Sequence, residues 1–283
     1  MLYYNREGYT MLVDSHIHSS FSDGVYSPQE LWQKVVEKGL GGWALTDHDT
    51  MDGVEEARRL GQAHYPERMF IAGCEFSTHH PVVGEVHILA YFKENYEGIL
   101  SLLAEYRRFR IRRAKLMVDL LRREGYHLEW EDILSRYENK PIGRMHLARA
   151  LVESGYFSST GEVFQGILDN KGRCYVPREE IRTEDVIGSI AKAGGVSVLA
   201  HPAFLAEEGF AMYVDEWLKL GLVGIEYRHP RVSEAVSAFV AGRYRGVFLT
   251  SGSDFHDDNG VKELGKYGIP LARWEAFFLS KKG

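Results

Sequence analysis

Apolar positions in this chain come as short unbroken runs, not as long alternating rows. The runs Met11–Val13, Gly42–Thr46, Met69–Ala72, Val86–Tyr91, Val196–Ala200, Val223–Glu226 and Val247–Ser251 are candidate strands. Short continuous runs suit strands covered on both faces, as in parallel sheets. Helical patterns with clear start signals lie between most of them. Ser27-Pro28-Gln29-Glu30 combines an N-cap, a first-turn proline and a capping-box glutamate, and Gly39 supplies the stop. Asp52 with Glu55 opens a second helix, Thr183 one that closes at Gly194–Gly195, and Ser233 a further one. Strand alternating with helix predicts βαβ units, and seven such strands suggest an α/β barrel.

One stretch breaks the rhythm. Ile99–Arg123 reads as one long helix, with apolar positions at Leu102, Leu103, Tyr106, Phe109, Ile111, Met117, Leu120 and Leu121. Further helical patterns cover Trp130–Tyr137, His146–Val152 and Thr160–Asp169. The expected organisation is a barrel domain of residues 11–98 and 174–283 carrying a helical insertion of residues 99–173.

Composition narrows the class. The chain has 283 residues, 45% hydrophobic and 26% charged, which is ordinary globular usage. No apolar run approaches the ~18 residues that a membrane span needs. Met1–Thr10 is polar and tyrosine-rich, without the core of a signal peptide. The two cysteines, Cys74 and Cys174, argue against a disulfide framework and suit a reducing cytoplasm. A net charge of −6 argues against a general nucleic-acid scaffold, so a nucleotide ligand would be met at a local site.

The chemistry-bearing residues cluster at strand ends. Residues i and i+2 of a strand share a face, so His16 and His18 aim two imidazoles at one point. An isolated pair of this kind is as often plain polar surface. Here the pattern repeats. Asp23 lies just beyond, Thr46-Asp47-His48-Asp49 follows the second run, and Cys74-Glu75 follows the third. His87 lies in the fourth, Ala200-His201-Pro202 closes the fifth, and Ser253-Asp254-Phe255-His256 follows the seventh. In a parallel α/β barrel such ends share the face that carries active sites. Without a cation, these side chains would leave polar groups unpaired or charges crowded. Nitrogen and carboxylate donors without a thiolate favour Zn²⁺, Mn²⁺ or Fe²⁺ over Ca²⁺ or a Cys-rich structural zinc. Nine candidate ligands suit two or three divalent ions.

Other residues have plainer readings. Arg107, Arg108, Arg110, Arg112, Arg113, Lys115, Arg122 and Arg123 form a basic stretch that reads first as a solvated face and second as a guide for a polyanion. Asp47 or Asp49 is placed to orient an imidazole through its second nitrogen. His229 follows the sixth run and is within reach of the rim, whereas His64, His79, His80 and His127 read as surface or packing residues. Cys74 reads as packing, since no Cys–His signature supports a nucleophile.

The ordered set of His-x-His and Asp, then Asp-His, Glu, His, His-Pro and Asp-Phe-His, resembles the PHP family of polymerase and histidinol phosphatase domains over nearly the whole chain. The resemblance implies a distorted seven-stranded (β/α)7 barrel, TIM-barrel-like, with up to three metals. It implies one ion on His16, His18, Glu75 and Asp254, a second on bridging Glu75, His87 and His201, and a third on Asp23, His48 and His256. Many relatives carry histidine at the position of Asp23, and an aspartate there is similar to the nucleotide-acting branch. A helical insert between the His87 and His201 motifs is similar to the branch of 3′,5′-nucleoside bisphosphate phosphatases and 5′-end-acting ribonucleases. Gly143-Arg144-Met145-His146 looks like that branch's Arg-x-His element, which implies that Arg144 and His146 face the substrate. A helix N-terminus bearing an arginine is also a natural phosphate site on physical grounds.

The expected function is a metal-dependent phosphoesterase. It would hydrolyse esters of small nucleotides, such as 3′,5′-bisphosphonucleotides, or short 5′-phosphorylated RNA, with a metal-activated hydroxide. Three alternatives stand beside it: a phosphatase of the histidinol phosphate type, metal-dependent amide or amine hydrolysis, and a non-catalytic metal-binding accessory domain. The absence of a strand-end lysine for a carbamate bridge argues against amide hydrolysis. A full set of candidate ligands argues against a degenerate accessory domain.

Overall fold

The computed structural model describes residues 11–93, 95–137, 140–177, 181–258 and 262–280. The polar segment of residues 1–10 noted above lies outside them. Two compact units divide the described residues, one within Met1–Leu100 and Glu180–Gly283, the other within Ser101–Glu179.

The strands are β1 (Leu12–Ile17), β2 (Gly42–Leu45), β3 (Met69–His80), β4 (Gly84–Phe92), β5 (Val196–Leu199), β6 (Gly224–Arg228), β7 (Phe248–Ser251) and β8 (Ile269–Pro270). The helices are α1 (Pro28–Glu37), α2 (Val54–His64), α3 (Leu100–Arg123), α4 (Trp130–Arg136), α5 (Arg144–Glu153), α6 (Thr160–Val163), α7 (Thr183–Lys192), α8 (Ala211–Lys219), α9 (Glu234–Arg243) and α10 (Leu271–Ser280).

The expected α/β barrel is present as a nearly closed sheet in the order β7-β6-β5-β4-β3-β2-β1-β8. β7 and the residues after it approach β1 through a parallel bridge between Ile17 and Phe255 and a bond from Ser15 Oγ to the Ser251 carbonyl at 2.8 Å. The sheet is mixed. β1–β2, β2–β3, β5–β6 and β6–β7 pair in parallel, while β3–β4, β4–β5 and β1–β8 pair antiparallel. Only residues 81–83 separate β3 from β4, too few for a crossover, so these two strands form a hairpin. β3 extends far past the apolar run that announces it, because its polar half, including Glu75, Ser77 and Thr78, pairs along β4.

The start signals act as read at α1 and α9. Ser27 and Glu30 close a capping box, Gly39 takes a left-handed φ of 66°, and Ser233 caps α9. α2 begins at Val54 with Gly53 as its cap, so Asp52 stands outside the helix, its N–H on Thr50 Oγ1. α6 ends at Val163, and a turn through Gly166 replaces the rest of the expected helix. The barrel floor is closed by Trp274 of α10, which is fully buried with Val13, Ala44, Tyr91 and Val198. The helical unit has its own core of Met117, Leu121, Leu147, Leu151, Val163 and Leu168.

The barrel positions the polar groups. β1, β2, β5, β6 and β7 run parallel and end on one rim, and the β3–β4 hairpin brings Glu75 and His87 to the same place. No helix of the described residues is long and apolar enough to cross a membrane.

Candidate metal centre

β1 carries His16 on its last turn of pleat, with His18 immediately after it, and both imidazoles are fully buried. Their Nε2 atoms face one another at 3.1 Å. Glu75 Oε2 lies 3.3 Å from His16 Nε2, 3.2 Å from His18 Nε2 and 3.1 Å from His48 Nδ1. Asp254 Oδ1 completes the first cluster, 3.6 Å from His16 Nε2 and 3.3 Å from His18 Nε2.

The other oxygen of Glu75 looks the opposite way. Oε1 is 2.8 Å from His87 Nδ1 and 2.8 Å from His201 Nε2. One carboxylate therefore joins two groups of imidazoles. A third cluster lies on the outer side of His18. Asp23 Oδ1 is 3.2 Å from His256 Nε2 and 3.8 Å from His18 Nδ1, and the His18 ring stacks on His256 at 4.1 Å between centroids.

The donor atoms of His16, His18, Glu75 and Asp254 all lie close enough to share one ion. So do those of His18, Asp23, His48 and His256, and those of His48, Glu75 and His87. Ligands about 2.1 Å from one ion stand about 3.0–3.4 Å apart at octahedral or tetrahedral angles. The observed edges of 3.1–3.3 Å around His16, His18 and Glu75 match that spacing. Within this cluster, the buried ring nitrogens His18 Nδ1, His48 Nδ1 and His229 Nε2 make no hydrogen bond. His48 Nδ1 comes near Glu75 without bonding geometry, as a lone pair awaiting a cation does. The residues fit divalent transition-metal ions.

Electrostatics agree with the geometry. Burial opposes the charge of Glu75, yet the facing imidazoles of His48, His16 and His87 hold its carboxyl well below the usual range. Asp254 and Asp23 are likewise held well below the usual range against burial, each chiefly by the neighbouring His256 ring. Burial alone would lower His18, but Asp254 and Glu75 outweigh it and lift the imidazole to about 9. Burial prevails at His201, pushing it down to about 4. The pocket is thus a set of ionised carboxylates facing nitrogen donors, a strong attractor for cations. Two of these residues also hold strained backbone: His201 has φ 26° and Asp254 φ 53°.

Several expectations shift. Asp47 accepts from Ser19 N, Ser19 Oγ and Ser22 Oγ, so it fixes the loop after β1 instead of orienting an imidazole. Asp49 Oδ1 accepts from Ser77 N. Glu226 and Glu85 face ring nitrogens instead, at His16 Nδ1 and His87 Nε2. His229 is buried beside Asp254, at 3.3 Å from Oδ2. Lys262 Nζ lies 2.5 Å from the same oxygen. Glu226 carries no spacing signal, because its partner His16 comes from a distant part of the chain, whereas Glu85 stands two residues before His87 and Lys262 a few residues after Asp254. Cys74 and Cys174 are buried free thiols, and burial pushes the Cys74 thiol well up, consistent with packing. His64 and His127 are exposed, while His80 sits against Tyr213 and Trp217.

Arg144 and His146 lie in the helical unit. Arg144 is half-buried between Phe164 and Tyr175, with Nη1 on the Leu168 carbonyl and Asn170 Oδ1. It lines a cavity of about 430 Å³ with Phe164, Asp169, Asn170 and Lys171. His146 is turned inward, and its Nδ1 accepts from Gly143 N at 2.9 Å, closing the start of α5. In the basic stretch Arg113 is buried, with Nε on the Val176 carbonyl. Arg122 pairs with Glu129 at the surface.

Comparison with known proteins gives a matching context. The profile of the PHP domain matches residues 14–195. A 5′-3′ exoribonuclease of Haemophilus influenzae is 30% identical over 262 residues, covering 91% of this chain and 94% of that one. A 3′,5′-nucleoside bisphosphate phosphatase of Chromobacterium violaceum is 31% identical over 264 residues, covering 89% and 90%. A Bifidobacterium adolescentis structure, assigned by inference as a metal-dependent phosphoesterase, superposes with a TM-score of 0.85 at 28% identity, over 94% and 95% of the two chains.

Proposed function

This chain belongs to the PHP domain family and is a metal-dependent phosphoesterase, and on that premise we propose that it acts on phosphorylated nucleotides. The substrates are small nucleotides, such as 3′,5′-bisphosphonucleotides, or short 5′-phosphorylated RNA. The observation that carries this reading is the two-sided Glu75, whose oxygens face His16, His18 and His48 on one side and His87 and His201 on the other. Similarity to an exoribonuclease and a bisphosphate phosphatase supports the nucleotide class.

The ligand sets we propose are His16, His18, Glu75 and Asp254; Glu75, His87 and His201; and Asp23, His48 and His256. Two or three divalent ions, Mn²⁺, Fe²⁺ or Zn²⁺, would supply Lewis acidity that activates water and neutralises phosphoryl charge. The chain's own residues do the rest. Glu75 holds two groups of imidazoles at one spacing. Asp47 fixes the loop that carries Asp23. Lys262 adds a fixed positive charge beside Asp254. In the helical unit, Arg144 is the proposed phosphate contact, and His146 holds the turn that presents it. Two free, buried cysteines are in keeping with a cytoplasmic location.

A phosphate-release panel on the Mn²⁺-loaded protein tests the reading. It compares adenosine 3′,5′-bisphosphate, AMP, short 5′-phosphorylated RNA, histidinol phosphate and an aryl phosphate, with and without chelator. Chelator-sensitive turnover that favours the bisphosphate or the RNA is expected. Preference for histidinol phosphate, or no release from metal-loaded protein, overturns it.

A further inference from the structure

We infer that Glu226 is a positioning residue of this centre: it decides which nitrogen His16 offers to a metal and holds the peptide of His201 in place. The inference rests on the metal-dependent reading above.

Glu226 is delivered by β6 and is completely buried. Both oxygens are engaged. Oε1 and Oε2 lie 3.1 and 3.3 Å from His16 Nδ1, and Oε2 also accepts from His201 N at 2.9 Å. Only a protonated Nδ1 can donate to a carboxylate. The Nε2 of a neutral His16 is then a lone pair, and that atom faces His18, Glu75 and Asp254. A carboxylate behind a metal-binding imidazole fixes tautomer and ring orientation and raises ligand basicity. Burial opposes the charge of Glu226, but the imidazoles of His16 and His229 hold it below the usual carboxylate range.

Two backbone features belong to the same arrangement. His201 sits at φ 26°, a strained value for a non-glycine residue, and its N–H is tied to Glu226. At Gly252 a Cβ would stand 2.2 Å from His16 Cβ and 2.8 Å from Glu226 Oε1. Glycine there lets β7 approach the His16–Glu226 pair.

A competing reading makes His16, Glu226 and His229 a further cation site, since their donor atoms also cluster. The proton on His229 argues against it. His229 Nδ1 accepts from Arg231 N at 2.9 Å, so in the neutral ring Nε2 carries the hydrogen. That Nε2–H lies 3.3 Å from Asp254 Oδ2 without hydrogen-bonding geometry, and it offers a cation no lone pair. The cluster is a support for the metal centre behind it.

The test is Glu226→Gln in the full chain, which keeps the side-chain shape and removes the charge. Mn²⁺ affinity, read by calorimetric titration, falls about 10–100-fold, the usual range for such partners. kcat falls in step while KM for the bisphosphate stays within about twofold. The visible spectrum of the Co²⁺-loaded variant shifts, and the melting temperature without metal stays near that of the parent. Parental Mn²⁺ affinity and an unchanged Co²⁺ spectrum in a folded variant overturn the inference. If the parent itself binds no Mn²⁺ or Co²⁺, the metal reading fails and takes this inference with it. If the parent binds metal but releases no phosphate, the functional reading fails while the affinity comparison still decides Glu226. Should the glutamine variant not fold, Glu226→Asp, which keeps the charge and withdraws it by one methylene, is read the same way.

Discussion

His16 Nε2 and His18 Nε2 face each other at 3.1 Å inside the barrel rim, with Glu75 Oε2 within 3.3 Å of both. A proton shared among these atoms is one occupant of that space, and a divalent ion is the better one. The folded protein holds this geometry and the unfolded chain does not, so metal must stabilise the fold. At free ion about 100 times Kd the gain is about 2.7 kcal/mol per site. Thermal melting of loaded and chelated samples checks it, and equal melting temperatures would contradict it.

Glu75 is the residue whose loss does most. Glu75→Gln leaves the shape and removes the charge between two imidazole groups. Phosphate release is expected to fall at least about 100-fold, the upper end of what losing even an outer partner costs. Bound metal per chain should fall with it. A variant with parental metal content and rate would remove Glu75 from the centre.

Arg144 gives a prediction of a different kind. It lies in the helical unit, away from every candidate metal ligand in sequence, so Arg144→Ala should leave metal content unchanged. One charge-assisted hydrogen bond to phosphate is worth about 1.5–3 kcal/mol. KM for the bisphosphate should therefore rise about tenfold or more, measured by initial rates. A change in kcat alone, with KM constant, would contradict a substrate contact.

Tyr96 gives a prediction for alkaline pH. Its hydroxyl donates to Glu55 at 2.9 Å, and burial first, then that carboxylate, pushes the phenol up to about 12. An unfolded tyrosine ionises near ~10. The folded value is the higher one, so this contribution is whole below pH ~10 and is lost as pH rises toward 12. Denaturant unfolding across that window should show a steeper loss for the parent than for Tyr96→Phe. Parallel curves would contradict the assignment.

The candidate ligands were legible because each stands beside an apolar run: His-x-His after the first, Asp-His after the second, His-Pro after the fifth, Asp-Phe-His after the seventh. Parallel strand ends converge by topology, so local motifs sufficed to nominate them. Glu226 was hidden in the sixth run, where it read as the last residue of a strand. Its proposed role depends on His16, which lies on β1 and far away in sequence. The polar half of β3 was hidden for a related reason: its alternation is masked by Glu75, Ser77 and Thr78, and its pairing with β4 is a tertiary fact. β8 has two residues and no period to read. The resemblance gave His146 to the substrate, and the structure has its Nδ1 accept from the Gly143 N–H at the start of α5, a contact that the motif does not announce.

The central claim is that these strand ends hold several divalent ions together. Elemental analysis of the Mn²⁺-loaded, exhaustively dialysed protein tests it most directly. Two or three ions per chain are expected. Less than one ion per chain in folded protein would contradict the account.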